Sequence, residues 1–354
     1  DNGSTHTVGC NNCDYRLTEG HTYENGSCAC GAKEVTEPVE TAIKFGYAVS
    51  FDSDLKMNYR IKLENIAAAI PNYTVEGAYL VVEKDQYFAD GTTGVDTQTL
   101  TGSIIDSRLV FTLNDIQSVE MGSELRAVLH IFDTEGNEYY TPVDVISIKA
   151  YAQGFLEMLS YETNPEYVTM LIDLLNYGSA AQTYFGRRAD VLANAGMDAY
   201  QQYATKELSE ELNDQKTVVA TDRTITAVDK ISFSVNFNDK TEMNAKLTLA
   251  DGYTAEDITC VKVLDAEGNV VETLTEGTLL EDGKVQFTYY GVKSVQLREM
   301  YYFVAYVGNK IASDSNGYSV EAYCKGCVDY GTEAMADMGL KCMYYGDSAY
   351  AYFN

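Results

Sequence analysis

The sequence predicts an α+β fold in which one unit occurs twice in tandem, after a small cysteine-rich module at the amino terminus. Two observations carry this prediction. The segment NYGSAAQTYF at residues 176–185 returns as YYGDSAYAYF at residues 344–353. Each copy has apolar residues at helical spacing and follows a stretch in which apolar and polar residues alternate. Strands and then helices, in two successive rounds, are typical of tandem α+β units.

Four further pairs of segments support the repeat, because they match in the same order along the chain. They are residues 51–63 with 237–249, 73–82 with 253–263, 110–119 with 286–295, and 147–155 with 319–327. The separation within a pair falls from 186 residues at the first pair to 168 residues at the helical phrase. Short loop deletions in the second copy account for this trend.

The first two thirds of each unit is predicted to form a β-sandwich. Alternate apolar residues share one face of the opening strands, namely Phe45, Tyr47, Val49 and Phe51 in one copy and Ile231, Phe233, Val235 and Phe237 in the other. The phrases DTEGNE at 133–138 and DAEGNV at 265–270 predict hairpin turns. Several short alternating strands separated by such turns indicate a sandwich.

The last third of each unit is predicted to form a helical hairpin. The four expected helices span residues 143–160, 165–186, 318–330 and 333–353. Asn164 is the expected N-cap of the second helix, with Pro165 at its first helical position, and Thr332 is the expected cap of the last helix.

Each final helix carries a glycine within a stripe of residues at helical spacing. The stripes are Leu174, Gly178, Ala181 and Phe185 in the first copy and Cys342, Gly346, Ala349 and Phe353 in the second. The preceding helices carry Gly154 and Gly326. Because glycine inside a helix costs about 1 kcal/mol relative to alanine, these positions predict a close backbone approach, between the two helices or onto the sheet.

These patterns divide the chain into three regions. Residues 1–38 form the cysteine-rich module, residues 39–213 the first unit and residues 214–354 the second unit. The charged segment at 186–216, with a short helical stretch, is the expected link between the units.

The amino-terminal cysteines predict a structural zinc site of the zinc-ribbon type. The four predicted ligands are Cys10, Cys13, Cys28 and Cys30. Two close pairs of thiolates suit tetrahedral Zn²⁺, and a metal would supply the stability that so short a segment lacks. The second pair is C-x-C, so His21 is an alternative ligand, as is His6. Disulfides between the two pairs are the competing interpretation for an exported protein.

The remaining cysteines lie in apolar segments, and they are Cys260, Cys324, Cys327 and Cys342. The last three are predicted to be buried free thiols. The C-x-x-C pair formed by Cys324 and Cys327 lies within a helix, where the first copy has Ala152 and Phe155, so a redox role is disfavoured. A Cys324–Cys342 bridge across the hairpin is the alternative.

Composition narrows the range of partners. The 354 residues include 53 acidic and 25 basic side chains, a net charge of −28. So negative a surface disfavours nucleic acid and anionic lipid. No apolar run approaches the length of a membrane span, so membrane insertion is not expected.

Sequence motifs indicate no enzyme, because no nucleophile motif, phosphate loop or zinc-protease motif occurs. His130 has Tyr302 at the matching place in the second copy and is therefore predicted to be structural. Among the 29 tyrosines, Tyr344 and Tyr350 have no tyrosine counterpart and are the candidate ligand-binding residues. Tyr345 and Tyr352 match tyrosines of the first copy and are predicted to pack.

Two segments resemble a known group of proteins. The stretch from Cys10 to Glu34, with its HTYENGSCACGAKE phrase, resembles a small cysteine-rich, zinc-ribbon-like motif of secreted and cell-surface repeat proteins from anaerobic Gram-positive (Firmicutes) gut bacteria. The segment LLNYGSAAQTYFG followed by LANAG resembles a phrase that follows β-rich regions in the same proteins. The resemblance implies an extracellular or cell-surface location and contact with glycans or host molecules, and it transfers no catalytic residues.

The function predicted from these features is non-catalytic binding at a cell surface, with a glycan or a host-cell or cell-surface protein as partner. Two alternatives stay open. One is a structural stalk that binds nothing, and the other is a glycan-active hydrolase, which would need a cleft with two carboxylates at catalytic separation. The ligand and the oligomeric state are left open by the sequence.

Overall fold

The structure is a computed structural model that describes residues 5–9, 16–24, 27–30, 37–51, 55–88, 90–188, 191–237 and 241–354. It is a mixed α/β protein with mostly antiparallel sheets and, within the described residues, five α-helices. This is compatible with the predicted α+β class. The packing of the sheets as sandwiches and the region boundaries after residues 38 and 213 stay predictions.

The strands of the amino-terminal part are β1 (Thr5–Gly9), β2 (Arg16–Gly20), β3 (Tyr23–Glu24), β4 (Ser27–Cys28) and β5 (Val39–Glu40). The next strands are β6 (Gly46–Ser50), β7 (Leu55–Lys62), β8 (Tyr73–Tyr87), β9 (Thr93–Thr101), β10 (Ser103–Ile105), β11 (Arg108–Ile116), β12 (Leu125–Asp133), β13 (Glu138–Tyr140) and β14 (Asp144–Ile146). The last strands are β15 (Thr217–Val219), β16 (Val228–Asn236), β17 (Glu242–Leu249), β18 (Cys260–Leu264), β19 (Val270–Leu274), β20 (Thr278–Leu279), β21 (Val285–Tyr289), β22 (Tyr301–Val307), β23 (Lys310–Ile311) and β24 (Ser315–Tyr318).

The helices are α1 (Leu63–Ala69), α2 (Ile148–Met158), α3 (Pro165–Phe185), α4 (Val320–Tyr330) and α5 (Glu333–Phe353), and two of the 3₁₀ turns are Ser118–Glu120 and Ser294–Gln296. We call residues 46–185, from β6 to α3, the first half. We call residues 228–353, from β16 to α5, the second half.

The two halves pair their strands in the same order. A four-stranded sheet runs β6-β7-β11-β10 in the first half and β16-β17-β21-β20 in the second. A larger sheet contains the run β9-β8-β12 in the first half and β19-β18-β22 in the second, with β9 and β19 at its edge. A short hairpin partner and a return strand pair with β12 and with β22. The edges differ, because β5 pairs with β13 in parallel whereas β15 pairs with β24 antiparallel.

Strand burial follows the two-residue period expected of a pleated sheet. In β12, buried and half-buried residues alternate without a break from Leu125 to Asp133. The predicted turns both form, since Asp133 and Asp265 each donate a backbone hydrogen bond across the hairpin to Asn137 and Asn269. One connected core of buried apolar side chains extends through both halves.

The helix ends agree closely with the signals in the sequence. Asn164 is the N-cap of α3 and Pro165 its first residue, and the Thr332 hydroxyl accepts a hydrogen bond from the Met335 N–H at the start of α5. The two preceding helices also share a cap, because the hydroxyls of Ser147 and Ser319 each accept from a backbone N–H three residues ahead. The predicted helix at 143–160 is shorter in the structure, because residues 144–146 pair as β14.

The two final helices, α3 and α5, pack against each other across the halves. Tyr177 of α3 and Tyr345 of α5 stack with ring centroids 6.2 Å apart and planes 5° apart. Each of these tyrosines is the counterpart of the other in the repeat. Contact between equivalent residues is the signature of a two-fold arrangement, here within a single chain.

A reciprocal pair of hydrogen bonds completes this arrangement. The Ser118 hydroxyl donates to the Phe237 carbonyl oxygen at 3.0 Å, and the Ser294 hydroxyl donates to the Phe51 carbonyl oxygen at 2.7 Å. Ser118 matches Ser294 and Phe51 matches Phe237 in the repeat. Each half therefore donates one of these two hydrogen bonds and accepts the equivalent one from the other half. We call this set of contacts the clasp.

The glycine stripes have a different explanation from the one predicted. A Cβ at Gly178 would lie 2.6 Å from the Met121 sulfur and 3.1 Å from the Ser118 carbonyl oxygen, and a Cβ at Gly346 would lie 2.7 Å from Leu297. The close approach is therefore to the 3₁₀ turn of the same half rather than to the paired helix. The prediction for Gly154 and Gly326 is wrong, because both positions face open space.

The three cysteines of α4 and α5 are free, as predicted. Cys324, Cys327 and Cys342 are buried, and Cys260 is half-buried. A hydrogen bond with Cys342, together with burial, raises the pKa of the Cys324 thiol, and burial raises the pKa of Cys327 to about 11. Thiols with raised pKa values are poor nucleophiles at neutral pH, so Cys324 and Cys327 contribute to packing rather than redox chemistry.

Candidate metal centre and binding grooves

A group of possible metal ligands lies in the amino-terminal part. Strands β1 and β2 pair with His6 opposite Glu19, and strands β3 and β4 pair with Tyr23 opposite Cys28. The donor atoms of four side chains lie within 4.8 Å of one another: His6, His21, Cys28 and Cys30.

Two imidazole nitrogens face the two thiols. The Cys30 sulfur lies 3.3 Å from the His21 Nδ1 atom, and the Cys28 sulfur lies 3.9 Å from the His6 Nδ1 atom. The other ring nitrogen of His6, Nε2, lies 3.3 Å from the Glu19 carboxylate. A carboxylate behind a histidine is the usual way in which proteins orient a metal-ligating imidazole.

The electrostatics around Cys28 favour a thiolate. Hydrogen bonds to its sulfur from the Cys30 backbone N–H, and then from His21 and the Cys30 side chain, lower the pKa of Cys28 to about 6. A thiolate is the form that binds metal.

The donor set fits zinc. Bond lengths of about 2.3 Å to sulfur and about 2.0 Å to nitrogen place tetrahedral ligand atoms roughly 3.3–3.8 Å apart, a small contraction of the present cluster. Two sulfurs and two imidazoles form one of the common structural zinc ligand sets. Of the four predicted cysteine ligands, Cys28 and Cys30 lie in the cluster, and Cys10 and Cys13 lie outside the described residues. The sequence predicts His6 and His21 only as alternative ligands, whereas the structure has both of them in the cluster.

The predicted ligand-binding tyrosines have different surroundings. Tyr350 is 58% exposed and lies along a groove of about 500 Å³ beside the Ser294–Gln296 turn. Tyr344 is half-buried, and its hydroxyl donates to the Lys206 carbonyl oxygen at 3.1 Å. We call the groove beside Tyr350 the Tyr350 groove.

Two of the charged side chains that line the Tyr350 groove, Arg298 and Asp347, form an ion pair, and Glu210 and Glu299 line the groove as well. Arg298 forms a bidentate pair with Asp347, with both nitrogen–oxygen distances 3.0 Å, and its remaining nitrogen contacts Glu321. Asp347 also accepts a hydrogen bond from the Ser209 N–H. Burial raises the pKa of Glu321, whereas the charge of Arg298 lowers it. These contacts hold Arg298 against Asp347 and connect Asp347 to the segment between the halves.

A second groove, of about 610 Å³, lies on the other side of Val295, and we call it the Tyr352 groove. It is lined by Tyr151, Tyr167, Tyr352 and Phe353, which belong to α2, α3 and α5. The prediction that Tyr345 packs is confirmed, since it is 6% exposed, but the same prediction for Tyr352 is wrong, since it is 41% exposed. The prediction rests on the tyrosine at the matching position of the first copy, Tyr184, which is half-buried in the structure.

His130 is part of a surface stack. Its ring lies parallel to Tyr79 with centroids 4.6 Å apart, and its Nδ1 atom lies 2.7 Å from the Glu138 carboxylate. Both partners come from neighbouring strands of one sheet. This is the environment of a cross-strand structural contact.

No family model and no curated protein matches the chain. Among solved structures, the chain is similar to a chain of a 1.5-MDa bacterial ice-binding adhesin studied for retention on a host cell surface. The identity is 10%, the TM-score is 0.17, and the match covers 83% of this chain and 70% of that chain. A TM-score this low establishes no common fold. No helix in the described ranges combines the length and apolar character needed to cross a membrane.

Proposed function

We propose that the chain is a non-catalytic, exported surface protein that binds glycans or cell-surface proteins. In this proposal, a zinc-stabilised module precedes two tandem units, each a β-sandwich followed by a helical hairpin. The observation that carries the proposal is the exposed aromatic surface at the end of α5, where Tyr350 lies beside a groove of about 500 Å³. Tyrosines at the edge of a cavity suit recognition, because each offers an apolar face and a hydroxyl.

In the Tyr350 groove, Arg298 pairs with Asp347, and it also contacts Glu321 behind the groove. A nearby positive charge favours the ionised form of a carboxylate, which makes Asp347 a poor candidate for a general acid and supports binding at this side chain. The surface location rests on the sequence resemblance to exported Firmicutes proteins.

Binding is tested with the purified chain on an array of neutral and acidic polysaccharides and on intact epithelial cells. The variant Tyr350→Ala is compared with Tyr330→Ala, which removes a tyrosine that is 87% exposed at the end of α4. We expect binding that weakens several-fold in Tyr350→Ala and is unchanged in Tyr330→Ala. If the chain binds neither to the array nor to the cells, the proposal is contradicted and a structural stalk is favoured.

We also propose that His6, His21, Cys28 and Cys30 hold one structural zinc ion. Two observations support this proposal: the four donor atoms lie within 4.8 Å of one another, and the Glu19 carboxylate contacts the other ring nitrogen of His6. Metal analysis and the absorption spectrum of the Co²⁺-substituted chain test the ligand set. Cys30→Ser and His21→Ala should each lower the zinc content well below one per chain, whereas Cys260→Ser should not. Full zinc content in both variants, or thiols of Cys28 and Cys30 that resist alkylation until reduced, would contradict this ligand set.

A further inference from the structure

The Tyr352 groove is the second cavity beside the end of α5. The sequence repeat does not predict it, because Tyr352 matches a tyrosine of the first copy. Val295 of the Ser294–Gln296 turn separates it from the Tyr350 groove. Its volume of about 610 Å³ lies within the range of small-molecule sites.

Aromatic rings from two distant parts of the chain form one wall of the groove. Tyr167 of α3 and Tyr352 of α5 have ring centroids 4.8 Å apart with planes at 34°, and Tyr352 meets Phe353 edge to face at 4.8 Å. Tyr352 is 41% exposed and Phe353 is 51% exposed. Two adjoining ring systems thus remain accessible to a ligand, although Tyr167 holds Tyr352 in place.

Hydroxyl groups lie beside these rings. Tyr151 lines the groove together with Tyr167, and burial raises the pKa of Tyr167. Ser50 lines the same groove, and its hydroxyl accepts a hydrogen bond from the Asn58 side chain, so the hydroxyl proton can be donated to a ligand. Apolar faces with neighbouring hydroxyls complement a sugar ring, which has C–H faces and a rim of hydroxyls.

The groove offers an anionic ligand one cation, and that cation is already engaged within the protein. Lys293 is the one charged side chain among the described residues that line it, and Lys293 already has a partner within the protein. The chain as a whole carries a net charge of −28. A uronic acid or sialic acid polymer would be repelled by this field, whereas a neutral sugar would not.

The equivalent place in the other half lacks these features. Met335 occupies the position that matches Tyr167, and Tyr184 and Phe185, which match Tyr352 and Phe353, are half-buried. The aromatic wall is therefore a property of one end of the molecule and not of the fold.

We propose that the Tyr352 groove binds a neutral pyranose unit of a polysaccharide, stacked on Tyr352 and Phe353 and hydrogen-bonded by the hydroxyls of Ser50 and Tyr151. This inference rests on the proposed function and names its ligand class and its site. It adds a site that is separate from the Tyr350 groove.

The absence of tryptophan from the chain offers a direct test. Phe353→Trp keeps an aromatic face in the groove and introduces the sole tryptophan as a fluorescent reporter. We expect its emission to shift on titration with neutral β-glucan, mannan, galactan or xylan oligosaccharides, in at least one case with saturation. Polygalacturonate oligosaccharides of the same length should give no shift.

Two variants then locate the site. Tyr352→Ala and Tyr167→Met, the latter copying the residue found in the other half, should each weaken binding about tenfold, whereas Tyr330→Ala should leave it unchanged. Melting temperatures of the variants identify any loss that comes from unfolding.

The outcomes separate this inference from the proposed function. Glycan binding that survives in Tyr352→Ala but is lost in Tyr350→Ala overturns the assigned site and keeps the proposed function. Preferential binding of polygalacturonate overturns the ligand class. If none of the neutral oligosaccharides binds, the inference is wrong, and binding to cells would then still support the proposed function through a protein partner.

Discussion

The first and second halves of this molecule share a strand order and a pair of capped helices, yet they differ in what they bury and in what they expose. The first half buries the ion pair of Lys84 and Glu120, whose side chains are each 6% exposed. The second half has Gln296 at the position of Glu120 and buries thiols instead, with Cys342 where the first half has Leu174. The same backbone therefore tolerates quite different interiors, because the alternating apolar pattern is preserved in both copies.

The exposed surfaces differ more than the interiors. Tyr352 and Phe353 line an open groove, whereas their counterparts Tyr184 and Phe185 are half-buried. Duplication supplies two scaffolds, and the differences between them indicate where one copy has acquired a feature of its own. The four predictions that follow test this comparison.

The largest effect is expected for the buried ion pair of the first half, which has no counterpart in the second half. Lys84→Met leaves the buried Glu120 carboxylate without its partner at 2.7 Å and should lower the free energy of unfolding by about 3–5 kcal/mol. The matched control Lys325→Met removes a half-exposed pair with Asp329 in the second half and should cost about 0.5 kcal/mol or less.

Calorimetry of Lys84→Met also tests the clasp. If the shared core joins the halves into one cooperative structure, a single transition moves to lower temperature. Two separated transitions, with only the first one shifted, would show that the halves unfold independently. The double variant Lys84→Met with Glu120→Gln should recover much of the loss, since no uncompensated charge remains.

The next largest effect concerns the glycine that packs against a 3₁₀ turn in the final helix of each half. Gly178→Leu places side-chain atoms where even a Cβ would lie 2.6 Å from Met121, and we expect a loss of about 2–3 kcal/mol. Gly346→Leu should behave similarly because of Leu297. Gly154→Leu, at an open position, is the control and should not destabilise the chain. Equal melting temperatures for Gly178→Leu and the unmodified chain would refute this packing interpretation.

A smaller effect is expected in the clasp. Ser118→Ala and Ser294→Ala each leave a carbonyl oxygen of the other half without its donor, at a cost of about 1–2 kcal/mol. Because the two bonds are equivalent, the two variants should lose stability to within about 0.5 kcal/mol of each other. Urea denaturation measures both. A large loss in one variant and none in the other would show that the two hydrogen bonds contribute unequally to stability.

The smallest effect should be a gain. Gly154→Ala and Gly326→Ala replace helix-interior glycines that face open space, so each should stabilise the chain by up to about 1 kcal/mol. A loss of stability at either position would mean that these glycines have a contact that the structure does not show.

Several features could be predicted from the sequence because their signals are local. Pro165 after Asn164 marks the start of α3, Thr332 marks the start of α5, and the glycines of the turns at 133–138 and 265–270 mark two hairpins. A cap or a turn depends on residues three or four positions apart, and the chain carries that information in order. The repeat predicted that the strands and helices occur twice in the same succession, because its segments match in order along the chain.

Other features depend on residues that meet only after folding. The nearness of His6 and His21 to Cys28, the contact of Gly178 with a 3₁₀ turn, and the exposure of Tyr352 all follow from long-range packing. Internal comparison even misled for Tyr352, since equivalent positions in a repeat share a backbone environment but not their neighbours. The sequence alone therefore determined the elements, their caps and their duplication. Tertiary structure decided which side chains meet and which stay exposed, because those depend on distances between segments that no local pattern encodes.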